Sequence, residues 1–429
     1  LAFAADSNLS DLLSFDGEPS IAVNPARPDN IIAGWMRLRV DGTIWIATRA
    51  SFDRGGTWSP ISFLPHTGAD YHSADVSIAF HRSGVAYLSY VDVEWSDTTA
   101  FVYVTRSTDG GLGWGTPVPV FSSSDRPDIP IDRPWIAVDN SGGRLDGTVF
   151  VTAMSLYSYA GGPHHVYLRS SSDGGVSWEP ISQVDDSKLP VGKLSISWGS
   201  VSVGGDGSAY IAYYSYEPSI SPFPRAVVAV TGDGGSTFRR HVIHPVFVTA
   251  GAGYTNGYSL AADPSTAGSA VLSWIDDRFG EADVVYSSTT DGGRSWSDPA
   301  RINDDAEGNG VIQDRVWASF SMSGRLAVAW RDRRNGGQGS SVPADIYAAV
   351  STGGEGSFGR NLRISASAAP HEPLPCCNSF LGVAASGGLL YAVWGDDRSG
   401  DWEVRFKRRS ISVSPEAPSP RRLGGRVAP

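Results

Sequence analysis

Ser171-Ser-Asp-Gly-Gly-Val-Ser-Trp178 decides the fold, because it belongs to a series. Ser51-Phe-Asp-Arg-Gly-Gly-Thr-Trp58 and Ser107-Thr-Asp-Gly-Gly-Leu-Gly-Trp114 precede it, and Thr231-Gly-Asp-Gly-Gly-Ser-Thr-Phe238 and Thr289-Thr-Asp-Gly-Gly-Arg-Ser-Trp296 follow. Ser351-Thr-Gly-Gly-Glu-Gly-Ser-Phe358 is a decayed sixth copy. The Asp position falls at 53, 109, 173, 233, 291 and 353, at intervals of 56, 64, 60, 58 and 62 residues. A period that steady marks a repeat architecture, which grows by adding units. The motif has the chemistry of a hairpin turn. Its carboxylate suits backbone N–H groups across the bend, and its glycines take the positive φ of a tight turn. The closing Trp or Phe offers an apolar face to a neighbouring sheet.

Two strand-like runs precede each copy. Ser20-Ile-Ala-Val23 with Ile31-Ile-Ala-Gly-Trp35 opens the first unit, and Val76-Ser-Ile-Ala79 with Ala86-Tyr-Leu-Ser-Tyr90 the second. A seventh unit, Leu381-Gly-Val-Ala384, Leu390-Tyr-Ala-Val-Trp394 and Val404-Arg-Phe-Lys407, has no motif because the sequence ends where it would stand. The units run approximately over 15–66, 67–125, 126–190, 191–250, 251–307, 308–370 and 371–413, giving one domain over 1–413 and a Pro/Arg/Ser-rich, flexible tail over 414–429. Ring closure is expected to pair strands from the two chain ends, which leaves few open edges.

Composition agrees with an all-β chain: 50 Gly and 27 Pro punctuate short β-branched and aromatic runs. The net charge of −11 argues against general binding to nucleic acid or to anionic membranes. No apolar run reaches the length of a membrane helix. Leu1-Ala-Phe-Ala-Ala-Asp6 fits the trimmed end of a signal peptide, which points to a secreted, periplasmic or cell-surface protein. Its two cysteines, Cys376 and Cys377, are neighbours. They form either a strained vicinal disulfide or two buried thiols.

The repeated motif closely resembles the Asp-box (BNR repeat) of the sialidase-like β-propellers. In that family the boxes lie on the outer turn between the third and fourth strands of a blade, away from the active site. The resemblance thus implies an all-β propeller in which the boxes are structural. Seven blades fit the units better than the alternative of six, the number in sialidases of this type.

In such propellers the loops entering the innermost strands rim the central channel, where a rigid scaffold carries variable function. The entries here include Asp16-Gly-Glu-Pro19, Tyr71-His-Ser-Ala-Asp75, Ile131-Asp-Arg-Pro-Trp135, Thr255-Asn-Gly-Tyr258, Gln313-Asp-Arg-Val-Trp317 and Pro375-Cys-Cys-Asn-Ser379. Arginine suits a carboxylate because its planar fork makes two parallel hydrogen bonds. The resemblance implies Arg133, Arg315 and Arg278 as a carboxylate clamp, with His72 also on the substrate. It implies Asp132 and Asp314 as candidate acid/base groups and Tyr258 with Glu18 as a nucleophile pair. The plainer alternative is that each Asp-Arg pair is a salt bridge fixing its loop. The Arg-Ile-Pro signature of sialidases is absent, and Asp132-Arg-Pro-Trp135 is a loose echo of it.

A further motif, Trp-x-Asp-x-Arg-x-Gly, recurs at Trp274–Gly280, Trp330–Gly336 and Trp394–Gly400. It reads as a braced turn, or else as a rim for a charged sugar or carboxylates for Ca²⁺. No cofactor is otherwise implied, and a monomer is expected. Two functions stay open: a sialidase-like glycoside hydrolase acting on an acidic glycan, and a non-catalytic propeller binding glycan or protein outside the cell.

Overall fold

The apolar second run of each repeat forms a strand buried on both faces. Ala209–Ser215 and Ala270–Asp276 are buried at every residue, since each blade is sandwiched between two others. A computed structural model describes residues 5–10, 15–94, 99–125, 131–155, 165–189, 191, 201–215, 224–245, 257–351, 357–370 and 381–411. It is a seven-bladed β-propeller, each blade a four-stranded antiparallel sheet, and in the first six blades the strands follow chain order outward. The inner strands are Phe15–Val23, Tyr71–Phe80, Ile131–Val138, Val201–Val203, Tyr258–Ala262, Gln313–Phe320 and Leu381–Ser386, for blades 1 to 7.

The seventh blade takes its fourth strand from the other end of the chain. Ser7–Asn8 pairs with Glu403–Ser410, placing Ser7 opposite Phe406 and Asn8 opposite Arg405. Asp6 strengthens the closure by accepting from Arg398 at 2.8 Å and from the Ala366 N–H at 3.0 Å. The expected pairing of the chain ends is present. Residues 412–429, with the expected tail, lie outside the described residues, as do Cys376 and Cys377.

Apolar clusters occupy all seven junctions between blades. The aromatic that ends each repeated turn packs into the junction with the preceding blade: Trp58, Trp114, Trp178, Phe238, Trp296 and Phe358 do so in order. The turns themselves join third to fourth strands. In blade 5, Asp291 accepts from Thr289 Oγ1 at 2.9 Å, Arg294 N at 2.9 Å, Ser295 N at 3.0 Å and Ser295 Oγ at 2.6 Å. The same set recurs around Asp173 and Asp233. Gly235 shows why glycine is required: it has φ +101°, and a Cβ there would meet Leu168 Cδ2 at 2.8 Å. Third strands run parallel to inner strands, so these turns lie on the face opposite the inner-strand entries. Residues 352–356 of the sixth copy lie outside the described residues.

At the axis, serine hydroxyls bridge neighbouring inner strands. Ser202 and Ser259 accept from Ala262 N and Ala318 N of the next blade, each at 2.9 Å, satisfying edge donors that face the channel. No described helix is long and apolar enough to cross a membrane.

Candidate functional site at the channel entry

Four inner strands break register at the same place. The irregularity falls between Gly17 and Ser20, Ala74 and Ser77, Asp132 and Trp135, and Asp314 and Trp317. Each carries a non-glycine residue at positive φ: Glu18 at 50°, Asp75 at 54°, Arg133 at 54° and Arg315 at 55°. Such a conformation costs on the order of 1 kcal/mol for a residue with a Cβ, and bulges of this kind re-aim a side chain.

The side chains are aimed at one another across the axis. Arg133 of blade 3 lies 2.9 Å from Asp75 of blade 2, 3.8 Å from Glu18 of blade 1 and 3.7 Å from its neighbour Asp132. Arg315 of blade 6 acts electrostatically on Glu18 from the far side. Asp75, Glu18 and Asp132 thus share one guanidinium, that of Arg133. Below this ring, Trp135 and Trp317 meet at 5.0 Å between ring centroids and form a floor. Beyond them the channel continues as a cavity of ≈ 270 Å³ whose lining includes Ser20, Ser77, Phe80, Phe320 and Met322 and carries no charged side chain.

Burial sets the protonation of the ring. It pushes Asp132 up to about 8, helped by the Asp75 carboxyl and opposed by Arg133. Asp75 is pushed up to about 6 by burial, against the pull of Arg133 and with a further push from Glu18. Glu18 is raised by burial too, with Arg133 opposing. Asp314 goes the other way. Burial would raise it, but Arg331, Arg333 and Arg315 outweigh that and hold it well below the carboxylate range. Arg331 grips Asp314 with two bonds of 2.6 Å, and Arg333 adds one of 2.9 Å.

The structure thus gathers Glu18, Asp132, Arg133, Asp314 and Arg315 around the axis. Tyr258 lies elsewhere, buried between blades 4 and 5 with its hydroxyl donating to the Ala212 carbonyl at 3.1 Å. His72 accepts from Ile44 N at 3.3 Å, between blades 1 and 2. Arg278 sits in the turn after the second strand of blade 5, forked onto Asp276. Its motif is a braced turn in all three copies: Trp274, Trp330 and Trp394 donate to Asp276, Asp332 and Asp396, which also accept from Arg278, Arg334 and Arg398. Those carboxylates are filled by their own turns, and among the described residues no group of three or more His, Cys, Asp or Glu is placed to hold a metal ion.

Sequence reasoning passed over Asp75, Arg331 and Arg333. A signal for Asp75 was available: it stands before Val76-Ser77 as Glu18 stands before Pro19-Ser20 and Arg133 before Pro134-Trp135.

No protein-family model matches the chain, and no curated protein matches it in sequence. Solved structures do. Hadza microbial sialidase Hz136 aligns with a TM-score of 0.51 at 15% identity, covering 86% of this chain and 74% of that one. A protein of unknown function from Dyadobacter fermentans gives 0.51 at 13% identity, covering 81% and 97%. The α-L-arabinofuranosidase Arb93A from Fusarium graminearum gives 0.50 at 10% identity, covering 96% and 98%. The likeness is one of fold. The site must speak for the chemistry.

Proposed function

We propose that the protein is a glycoside hydrolase acting on a glycan at the channel entry. The observation that carries this reading is the cluster itself: Glu18, Asp75 and Asp132, on three different blades, are gathered within 4 Å of Arg133 at the channel entry. Hydrolysis of a glycosidic bond needs a proton for the leaving oxygen and a second carboxyl group to activate water or attack the sugar. Glu18 and Asp132 stand within 4 Å of the same guanidinium, that of Arg133, on different blades, which sets two carboxyl groups around one entry. Asp132 is the general acid, and Glu18 is the second group. Asp314, locked onto Arg331 and Arg333, holds those arginines at the rim.

The ring also bears on the substrate. Arg133 and Arg315 both act on Glu18, and Arg331 and Arg333 both act on Asp314. These four arginines already serve internal carboxylates. A neutral glycan is therefore favoured over an acidic one, whose carboxylate would compete with Glu18 for the same guanidinium groups. The same pairing favours a second reading, a propeller that binds its ligand without cleaving it.

Release of free sugar from neutral, uronic-acid and sialylated glycans by the wild-type protein tests the proposal. Release from a neutral glycan supports it. Release from sialylated glycans alone would restore the acidic substrate, and binding with no release from any glycan would leave the non-catalytic reading.

A further inference from the structure

The Asp-Gly turns repeat around the propeller, but what the preceding blade sets against each of them does not. A Cβ built on the first glycine of a turn gauges the space there. At Gly110 it would meet Phe52 of blade 1 at 2.8 Å. At Gly174 it would meet Tyr87 Oη at 3.2 Å and Arg106 Nη1 at 3.6 Å, both of blade 2. At Gly292 it would lie 3.7 Å from Arg239 Nη2 of blade 4, a group that also donates to the Gly292 carbonyl. At Gly234, in the turn of blade 4, Ser170 Oγ of blade 3 is the one neighbour within 4 Å among the described residues, at 3.9 Å.

The repeat itself accounts for the difference. Arg106 stands directly before Ser107, which opens its turn, and Ser170 holds the same place before Ser171 in the next copy. Arg239 follows Phe238, and its counterpart after Trp178 is Glu179. Blade 3 thus offers a serine and a glutamate where blades 2 and 4 each offer an arginine. What remains is a cavity of ≈ 420 Å³ between blades 3 and 4, against ≈ 270 Å³ in the channel. Ligand sites run to about 300–1,000 Å³. The cavity lies beside the Asp233–Ser236 turn, on the face away from the axial ring.

Its lining has two characters. Leu145, Leu168 and Pro180 supply apolar surface, and Ser172, Ser182 and Glu179 supply a polar edge. Ser170 donates to the Gly234 carbonyl at 2.8 Å, which leaves its hydroxyl oxygen as an acceptor. Asp233 also lines the cavity, but Thr231, Ser236 and Thr237 already fill its carboxylate. Hydroxyl groups donate and accept, whereas an ionised carboxylate only accepts. A sugar ring matches this set. Its C–H faces suit the leucines and the proline, and two adjacent hydroxyls can donate to the two oxygens of Glu179. A carboxylate-bearing wall repels an acidic sugar. We infer that the cleft between blades 3 and 4 is a second carbohydrate site, one that holds a neutral sugar residue without cleaving it. The site is independent of the hydrolase reading, and it anchors a glycan by one residue while the axial face stays free.

Methyl-labelled protein titrated with glucose, galactose, mannose and arabinose tests the inference by NMR. With at least one of these sugars the Leu145 and Leu168 methyl signals should shift and saturate, at a Kd of about 1–10 mM. Ser170→Arg gives blade 3 the residue that blade 2 carries, so it should fill the cleft, keep the melting temperature and weaken binding roughly tenfold or more. Glu179→Ala, at an exposed position, should keep the fold and weaken binding by a factor of about five. Any sugar release by the wild type should be unchanged in both variants. Methyl signals that respond to none of the four sugars would overturn the site, as would wild-type affinity in either folded variant. Loss of sugar release in either folded variant would tie the cleft to the axial chemistry and overturn its independence.

Discussion

Arg133 Nη1 lies 2.9 Å from Asp75 Oδ1, and both residues occupy positive φ at matching bulges of adjacent inner strands. Local strain on two blades is thus joined by an ion pair that exists only when the blades stand side by side. The strain and the pairing explain each other: without the bulges neither side chain would be aimed at the axis.

Asp132 ties stability to pH. Its folded-state value is raised above the ordinary 3.8, to about 8, so folding favours its protonated form. That contribution is fully present below the unfolded value and is lost as pH rises through about 8. Asp132→Asn, which cannot ionise, should gain in melting temperature relative to wild type between pH 5 and pH 9. An equal difference at both pH values would mean that Asp132 is an ordinary carboxylate.

Asp314 has the opposite role, an ionised anchor for two arginines. Replacing it with Asn removes the carboxylate that the buried Arg333 and the half-buried Arg331 both grip, and losing one partner of a buried pair costs about 3–5 kcal/mol. Urea unfolding should show that loss. The double variant Asp314→Asn, Arg331→Met should recover part of it, because one orphaned charge is then gone.

Asp291 separates scaffold from chemistry. Its carboxylate organises the turn on the face away from the ring through Thr289, Arg294 and Ser295. Asp291→Ala should lower the melting temperature and leave kcat/KM unchanged for any glycan that is cleaved. A loss of kcat with an unchanged melting temperature would give the turn a part in the reaction.

The repeat was legible because its chemistry is local. Asp, Gly and a closing aromatic within eight residues specify a turn wherever they fall, and seven pairs of strand-like runs specify seven blades. The ring was legible only in part. Asp132-Arg133 and Asp314-Arg315 were visible as charged pairs, yet each behaves differently: Arg133 reaches blades 1 and 2, whereas Asp314 is taken by arginines from the second strand of its own blade and the turn after it. Such pairings depend on which residues closure of the ring brings face to face, and no spacing along the chain encodes that. Tyr258 illustrates the same limit, since an entry residue can turn into a blade junction as readily as toward the axis.

The most direct test of the central claim is sugar release by Asp132→Asn and Glu18→Gln beside wild type, on the best glycan of the panel, with folding verified by thermal melt. The ring account predicts that each variant stays folded, binds the glycan and loses roughly a hundredfold or more in kcat, the scale of a lost general acid or base. Wild-type kcat in both folded variants would contradict it, and would place any chemistry of this propeller away from its axis.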